Sequence, residues 1–159
     1  MGNRQLWAAL PLAIAFVLGV SACGQGEGPF LQVQFCLSAG AGTTELKQVL
    51  QQIAREEHMA FTDRSADTDA ELRSMNDTLP SGVAHSFPII NVSVRDGALG
   101  LGGGNLGLGP NQVALGFGPN TPEGRAFANR AVHRLEQSWK LVRVPTDKGA
   151  FPLKDCPVR

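Results

Sequence analysis

The chain has 159 residues with 14 basic and 14 acidic side chains, so its formal net charge at pH 7 is zero. This balance provides neither the basic surface that binds nucleic-acid phosphates nor a polybasic segment for anionic lipid. We therefore expect no nucleic-acid partner. The length suits a single domain with a core of its own.

The first 22 residues have the features of a secretory signal peptide. Arg4 supplies a positive charge, residues 7–20 form an uncharged and mostly apolar run, and Ser21 and Ala22 are small. The run is shorter than the roughly 20 apolar residues of a membrane-spanning helix. We predict that this segment directs export and is removed.

The sequence Val20-Ser21-Ala22-Cys23 resembles the lipobox of bacterial lipoproteins. The resemblance covers residues 1–23 only. It implies that the Cys23 thiol is diacylated, that the chain is cut before this residue, and that the new amino group is acylated with a fatty acid such as palmitate. Two or more acyl chains give stable membrane attachment. The alternative is an ordinary signal peptide cut after Ala22, with an unmodified thiol.

The residue after the cysteine bears on location. In bacterial lipoproteins an aspartate there commonly signals retention at the inner membrane, and Gly24 favours the outer membrane instead. The resemblance thus implies a protein on the periplasmic face of the bacterial envelope, attached to the membrane through Cys23. Residues 23–29 are glycine-rich and predict a flexible tether, and residues 30–159 form the single folded domain.

Two further cysteines, Cys36 and Cys156, make an even pair in an oxidising compartment. The alternatives are a metal pair or a redox pair. A CxxC motif is absent, and no histidine is near either cysteine in sequence. We predict a structural disulfide between them.

The first half of the domain predicts a strand, a long helix, a short strand and a short helix. Residues 30–37 alternate polar and apolar, which indicates a strand. Thr43 is a candidate N-cap for the helix that follows, and residues 59–62 are a plausible strand. A short exposed helix is predicted around Thr68–Met75, with a turn at 79–82. The long helix has one apolar stripe, formed by Leu46, Val49, Leu50, Ile53 and Ala54.

The second half predicts four strands and a second long helix. Asp96-Gly97 is a hairpin signal, while Thr121 and Pro122 mark a helix start. The predicted strands are residues 87–94, 99–101, 112–117 and 140–144.

This order of elements predicts an α+β fold, a ferredoxin-like two-layer sandwich. Two long helices would cover one face of a mostly antiparallel sheet, with an extra glycine-rich hairpin. The first and last strands are neighbours in that arrangement, which would bring Cys36 towards Cys156.

The stretch between Gly97 and Gly118 is glycine-rich, and the pattern of residues 106–111 recurs at 115–120. A phosphate-binding loop is one reading, but no Lys-Ser/Thr follows and no helix begins after Gly104. A hairpin whose glycines allow close backbone approach is favoured. A partner-binding loop is the remaining reading.

The sequence contains no HExxH zinc motif, no GxSxG nucleophile elbow and no carboxylate in a recognisable apolar motif. We therefore predict a non-catalytic protein with no metal and no cofactor. The first functional hypothesis is a lipid-anchored periplasmic binding protein for a protein or envelope partner. One version is an immunity or inhibitor lipoprotein against a periplasmic toxin, by analogy of size and location. The candidate partner-binding residues are Arg64, Asp67, Asp69, Glu71, Arg73, Asn105 and Asn111.

The second hypothesis is an envelope enzyme or small-ligand carrier that uses a crevice between the sheet and the helices. It requires a concave apolar pocket with converging polar groups.

Overall fold

The computed structural model describes residues 28–78, 87–154 and 156. The predicted signal peptide, Cys23 and the predicted turn at 79–82 lie outside these residues. The elements are β1 (Leu31–Cys36), α1 (Gly42–Glu56), β2 (Ala60–Asp63), α2 (Ser65–Thr78), β3 (Asn91–Asp96), β4 (Leu99–Gly104), β5 (Gln112–Gly118), α3 (Pro122–Glu136) and β6 (Val142–Val144).

The six strands form one antiparallel sheet in the order β2-β3-β4-β5-β1-β6. This is the ferredoxin-like order with the β3–β4 hairpin inserted between β2 and β5. The first and last strands are neighbours, with Gln32 opposite Val144. The predicted α+β sandwich is therefore confirmed.

The core fills the space between the sheet and helices α1 and α3. Because side chains alternate along a strand, every second residue of β1 and β5 faces the helices. Phe35 stacks on Trp139 with ring centroids 5.1 Å apart, and Phe117 contacts Phe127 at 6.3 Å. The fully buried residues at this interface include Val33, Phe35, Leu46, Leu50, Val113, Leu115, Phe117, Phe127 and Leu135.

The helix starts differ in how well the sequence predicted them. The Thr121 hydroxyl accepts a hydrogen bond from the Gly124 backbone N–H at 3.0 Å, which confirms the predicted cap of α3. The predicted Thr43 cap is wrong, because α1 begins at Gly42, two residues earlier than a cap at Thr43 implies, and its N-cap Ala41 makes no side-chain cap hydrogen bond. Helix α2 is longer than the predicted segment.

The strand bounds also shift. β3 begins at Asn91 rather than at 87, because the Ile90 N–H bonds to the Asn105 side chain. β4 extends beyond residue 101 to Gly104, since both of its neighbours pair with these glycines. The other strand predictions differ from the structure by one or two residues at an end.

Candidate functional site

The sheet has a second face, opposite α1 and α3, which we call the outer face. It receives the strand side chains that alternate with the core residues. On β3 these include Ser93 and Arg95, and on β4 and β5 most of the corresponding positions are glycines. Much of this face therefore consists of backbone.

A groove of about 400 Å³ lies on this face, and we call it the outer-face groove. Gly102 and Gly116, which pair across β4 and β5, are part of its floor. Its other lining residues are Pro29, Arg95, Ala98, Gly100, Phe117, Gly118 and Pro119. The predicted glycine-rich hairpin is present, and because glycine has no side chain, its outer face is open and forms this groove.

Arg95 is the charged residue of the groove lining. Its guanidinium lies over the floor, with one terminal nitrogen 3.7 Å from where a Cβ on Gly102 would be. Arg95 is exposed and forms no hydrogen bond or ion pair within the described part of the chain. Among the residues that the structure describes, the groove thus presents one positive charge without an ion-pair partner beside a flat backbone surface, which suits a carboxylate or another anion.

The tether enters the domain at this groove. Pro29 packs on Gly116, where an added Cβ would lie 2.9 Å from the proline Cβ. The next residue, Phe30, donates its backbone N–H to the Phe117 carbonyl at 3.0 Å. Pro29 lies six positions after Cys23, and six residues of fully extended chain span at most about 22 Å.

The predicted contact residues on and before α2 are mostly exposed and form local ion pairs. Arg64 lies 3.9 Å from Asp67 and 3.5 Å from Glu71. Arg73 donates to Asp69 at 2.8 Å, one helical turn away. Exposed pairs of this kind contribute little to stability, so these five side chains are accessible to a partner.

The other two predicted contact residues are buried. Asn105 is 0 % exposed, and its amide accepts from the Ile90 N–H at 2.8 Å and donates to the Pro88 carbonyl at 2.9 Å. Asn111 is 8 % exposed, and its carbonyl accepts from the Leu37 N–H at 2.7 Å. Both residues hold the fold together, and the structure gives them no contact surface of the kind predicted.

A second concavity of about 570 Å³ lies between α2 and residues 87–89. At its side, Lys47 pairs with Asp63 at 2.6 Å, and Ser65 donates to the same carboxylate. Burial raises the pKa of Asp63, but the hydrogen bonds from Lys47 and Ser65 outweigh it, so the pKa lies below its ordinary value. Ser65 also accepts from the Asn91 N–H at 3.1 Å, so its hydroxyl is committed to the fold.

The disulfide predicted between Cys36 and Cys156 is present, with 5.1 Å between the Cα atoms. It fixes the chain after β6 against the outer face. Two glutamines beneath this segment are buried, Gln34 at 0 % and Gln112 at 3 % exposure. Strand alternation predicts exposed side chains at both positions, and no local pattern indicates that the C-terminal segment covers them.

An ion pair joins the two long helices on their solvent side. Arg130 donates to both carboxylate oxygens of Glu57, at 2.7 and 2.6 Å. This hydrogen bond lowers the pKa of Glu57 by more than burial raises it. This ion pair links α3 to the C-terminal end of α1.

Within 28–78, 87–154 and 156, histidine, cysteine and carboxylate side chains form no group of three that could hold a metal ion. None of the helices in that part of the chain has the length and hydrophobicity that a membrane span requires.

Comparisons with protein-family models, with curated proteins and with solved structures return no match.

Proposed function

We propose that the chain is a lipid-anchored binding protein of the bacterial envelope, without catalytic activity, that recognises a segment of a protein partner on its outer face. The observation that carries the binding role is the outer-face groove with the unpaired Arg95 guanidinium. The lipid anchor rests separately on the likeness of Val20-Ser21-Ala22-Cys23 to a lipobox.

The groove supports recognition of an extended segment that carries a carboxylate. Its glycine floor leaves peptide planes open to a flat or extended ligand, and Arg95 offers a guanidinium suited to bidentate carboxylate binding. The volume of about 400 Å³ is in the range of small-ligand and side-chain pockets. An immunity or inhibitor role against a periplasmic toxin is one version of this function, supported by size and predicted location alone.

The sheet–helix crevice that an enzyme or carrier would use is filled in the described part of the chain. Phe35, Phe117 and Phe127 occupy it, and each is 0 % exposed. No described observation therefore favours the second hypothesis.

Photo-crosslinking in intact cells tests the proposal. A crosslinking amino acid at Ala98, on the rim of the groove, should give one protein adduct, while the same amino acid at Gln48 on α1 should not. Arg95→Glu should abolish the adduct, and Arg55→Glu on the helix layer should leave it unchanged. Equal adducts at both positions, or an adduct insensitive to Arg95→Glu, would contradict a partner site in the groove.

A further inference from the structure

The C-terminal strap, residues 145–154, runs from the end of β6 across the outer face to Cys156. All ten of its residues are partly or largely exposed to solvent, and Phe151 is 43 % exposed. Burial of apolar side chains therefore contributes little to holding the strap in place.

The strap is seated by two glutamine amides, which we call the strap seat. Gln34 donates to the Phe151 carbonyl at 3.0 Å and accepts from the Phe151 N–H at 3.3 Å. Gln112 donates to the same carbonyl at 2.7 Å and accepts from the Leu153 N–H at 2.8 Å. All four hydrogen bonds go to main-chain atoms, so the seat recognises an extended peptide backbone rather than particular side chains.

We propose that the strap seat is a peptide-binding surface that the strap occupies while the Cys36–Cys156 disulfide is intact, and that reduction by a dithiol opens it to a peptide in trans. The seat already binds an extended segment through hydrogen bonds to its main chain, and it would bind a segment of a partner through the same hydrogen bonds. The disulfide ties the strap at its C-terminal end, in addition to its chain connection to β6, so reduction lowers the effective concentration of the strap at the seat and lets a peptide in trans compete for it. This inference depends neither on the lipid anchor nor on the outer-face groove.

The opening step is thiol–disulfide exchange. A thiolate of the dithiol attacks one sulfur of the disulfide, forms a mixed disulfide and releases the other cysteine as a thiolate. The second thiol of the dithiol then attacks the mixed disulfide and releases the remaining cysteine. The dithiol is oxidised to a disulfide, and Cys36 and Cys156 receive two electrons and two protons as thiols. Both cysteines are partly exposed, which gives a reductant access.

The sheet is expected to stay folded when the strap leaves. Val33, Phe35 and Val113 neighbour the seat along β1 and β5, but they face the helices and remain covered. The amides that become exposed are polar, and water replaces their hydrogen bonds to the strap. Opening therefore uncovers neither an apolar core nor an unsatisfied polar group.

Side-chain amide exchange followed by NMR tests the opening. In the oxidised full chain, the NH₂ groups of Gln34 and Gln112 should exchange slowly, and reduction should speed their exchange at least about tenfold, as expected when their hydrogen bonds are lost. The backbone amides of Leu115 and Val94 should keep their protection. Unchanged glutamine protection, or loss of protection throughout the sheet, would overturn the inference. The Cys36→Ser, Cys156→Ser chain should behave as the reduced protein without any reductant.

A trans peptide tests recognition. Phe151→Pro in the chain removes one N–H that the seat accepts, which weakens the chain's own strap and leaves the seat unchanged. Under reducing conditions, a labelled peptide with the sequence of residues 147–154 should bind this variant. A peptide carrying the same Phe151→Pro change should bind at least about fivefold more weakly. Equal binding of the two peptides, or no binding, would contradict a peptide seat.

A variant with an intact disulfide provides a second check. Gln34→Met with Gln112→Met removes the four seat hydrogen bonds and retains side chains of similar length. In the oxidised chain, reduction by dithiothreitol should then be at least about fivefold faster, because without these hydrogen bonds the strap moves more freely and the partly exposed disulfide becomes easier to reach. An unchanged reduction rate would show that the seat does not hold the strap.

Discussion

Asn105→Ala separates a structural role from a partner-binding role. The substitution removes both amide hydrogen bonds and leaves the buried Ile90 N–H without its acceptor. An unsatisfied buried donor costs about 1–3 kcal/mol, and the lost bond to the partly exposed Pro88 carbonyl about 0.5–1 kcal/mol more. We therefore expect the free energy of unfolding to fall by about 1.5–4 kcal/mol.

Urea unfolding with the disulfide intact measures this loss as a lower midpoint at an unchanged slope. Asn120→Ala is the matched control, because Asn120 is exposed and accepts only from the exposed Arg125 side chain among the described hydrogen bonds. Its effect should be below about 0.5 kcal/mol. If the two variants differ by less than about 0.5 kcal/mol, Asn105 does not hold residues 88–90, and the account of the β3 start is wrong.

Two further predictions concern the β3–β4 hairpin and the Glu57–Arg130 ion pair between the long helices. Gly104→Ala places a Cβ 1.8 Å from the Ile90 carbonyl oxygen, so urea unfolding should show a loss above about 2 kcal/mol, whereas Gly118→Ala, with nothing within 4 Å, should change stability by less than about 0.5 kcal/mol; equal effects would contradict the close backbone approach at Gly104. Because the folded pKa of Glu57 is lowered by Arg130, the pair's contribution is fully present above the ordinary value of 4.5 and is lost as pH falls through the folded pKa. The urea midpoints of Glu57→Gln and the parent should therefore differ at pH 7 and converge as the pH is lowered below 4.5, and a difference that persists through this range would contradict the ion pair.

The order of elements could be predicted because its signals are local. Thr121 and Pro122 start α3 by chemistry within one helical turn, and the hydroxyl of Thr121 does accept the expected N–H. The apolar stripe of α1 and the alternation of β1 each repeat within a few residues. These periods decide which side of each element meets the core.

The errors arise where distant residues decide the outcome. Residues 87–90 are β-prone, but the side chain of Asn105, 15 positions from Ile90, takes the hydrogen bond that a strand would need. Gly102 and Gly104 are poor strand formers, yet they extend β4 because β3 and β5 pair on both sides.

The candidate site shows the same limit. Among the charged residues of α2, Asp67, Glu71 and Arg73 are exposed, as their polar sequence predicts. Arg95 was missed, because nothing local shows that its neighbours across the sheet are glycines. Gln34 and Gln112 look like ordinary outward-facing strand residues. The strap covers them through Phe151, which lies 117 positions from Gln34, and through Phe151 and Leu153, which lie 39 and 41 positions from Gln112. The sequence signal for the strap seat is that glutamine occupies an outward-facing position on both β1 and β5, and that signal is weak without the strand pairing.

We propose that this domain works on a membrane through lipid on Cys23. The most direct test is the intact mass of the protein purified from the bacterial envelope. We predict a chain that begins at Cys23 and carries a diacylglyceryl group with a further acyl chain on its amino group. An intact mass that shows Cys23 at the N-terminus without acyl groups, together with partitioning of the protein into the aqueous phase of a detergent extraction, would contradict lipid attachment.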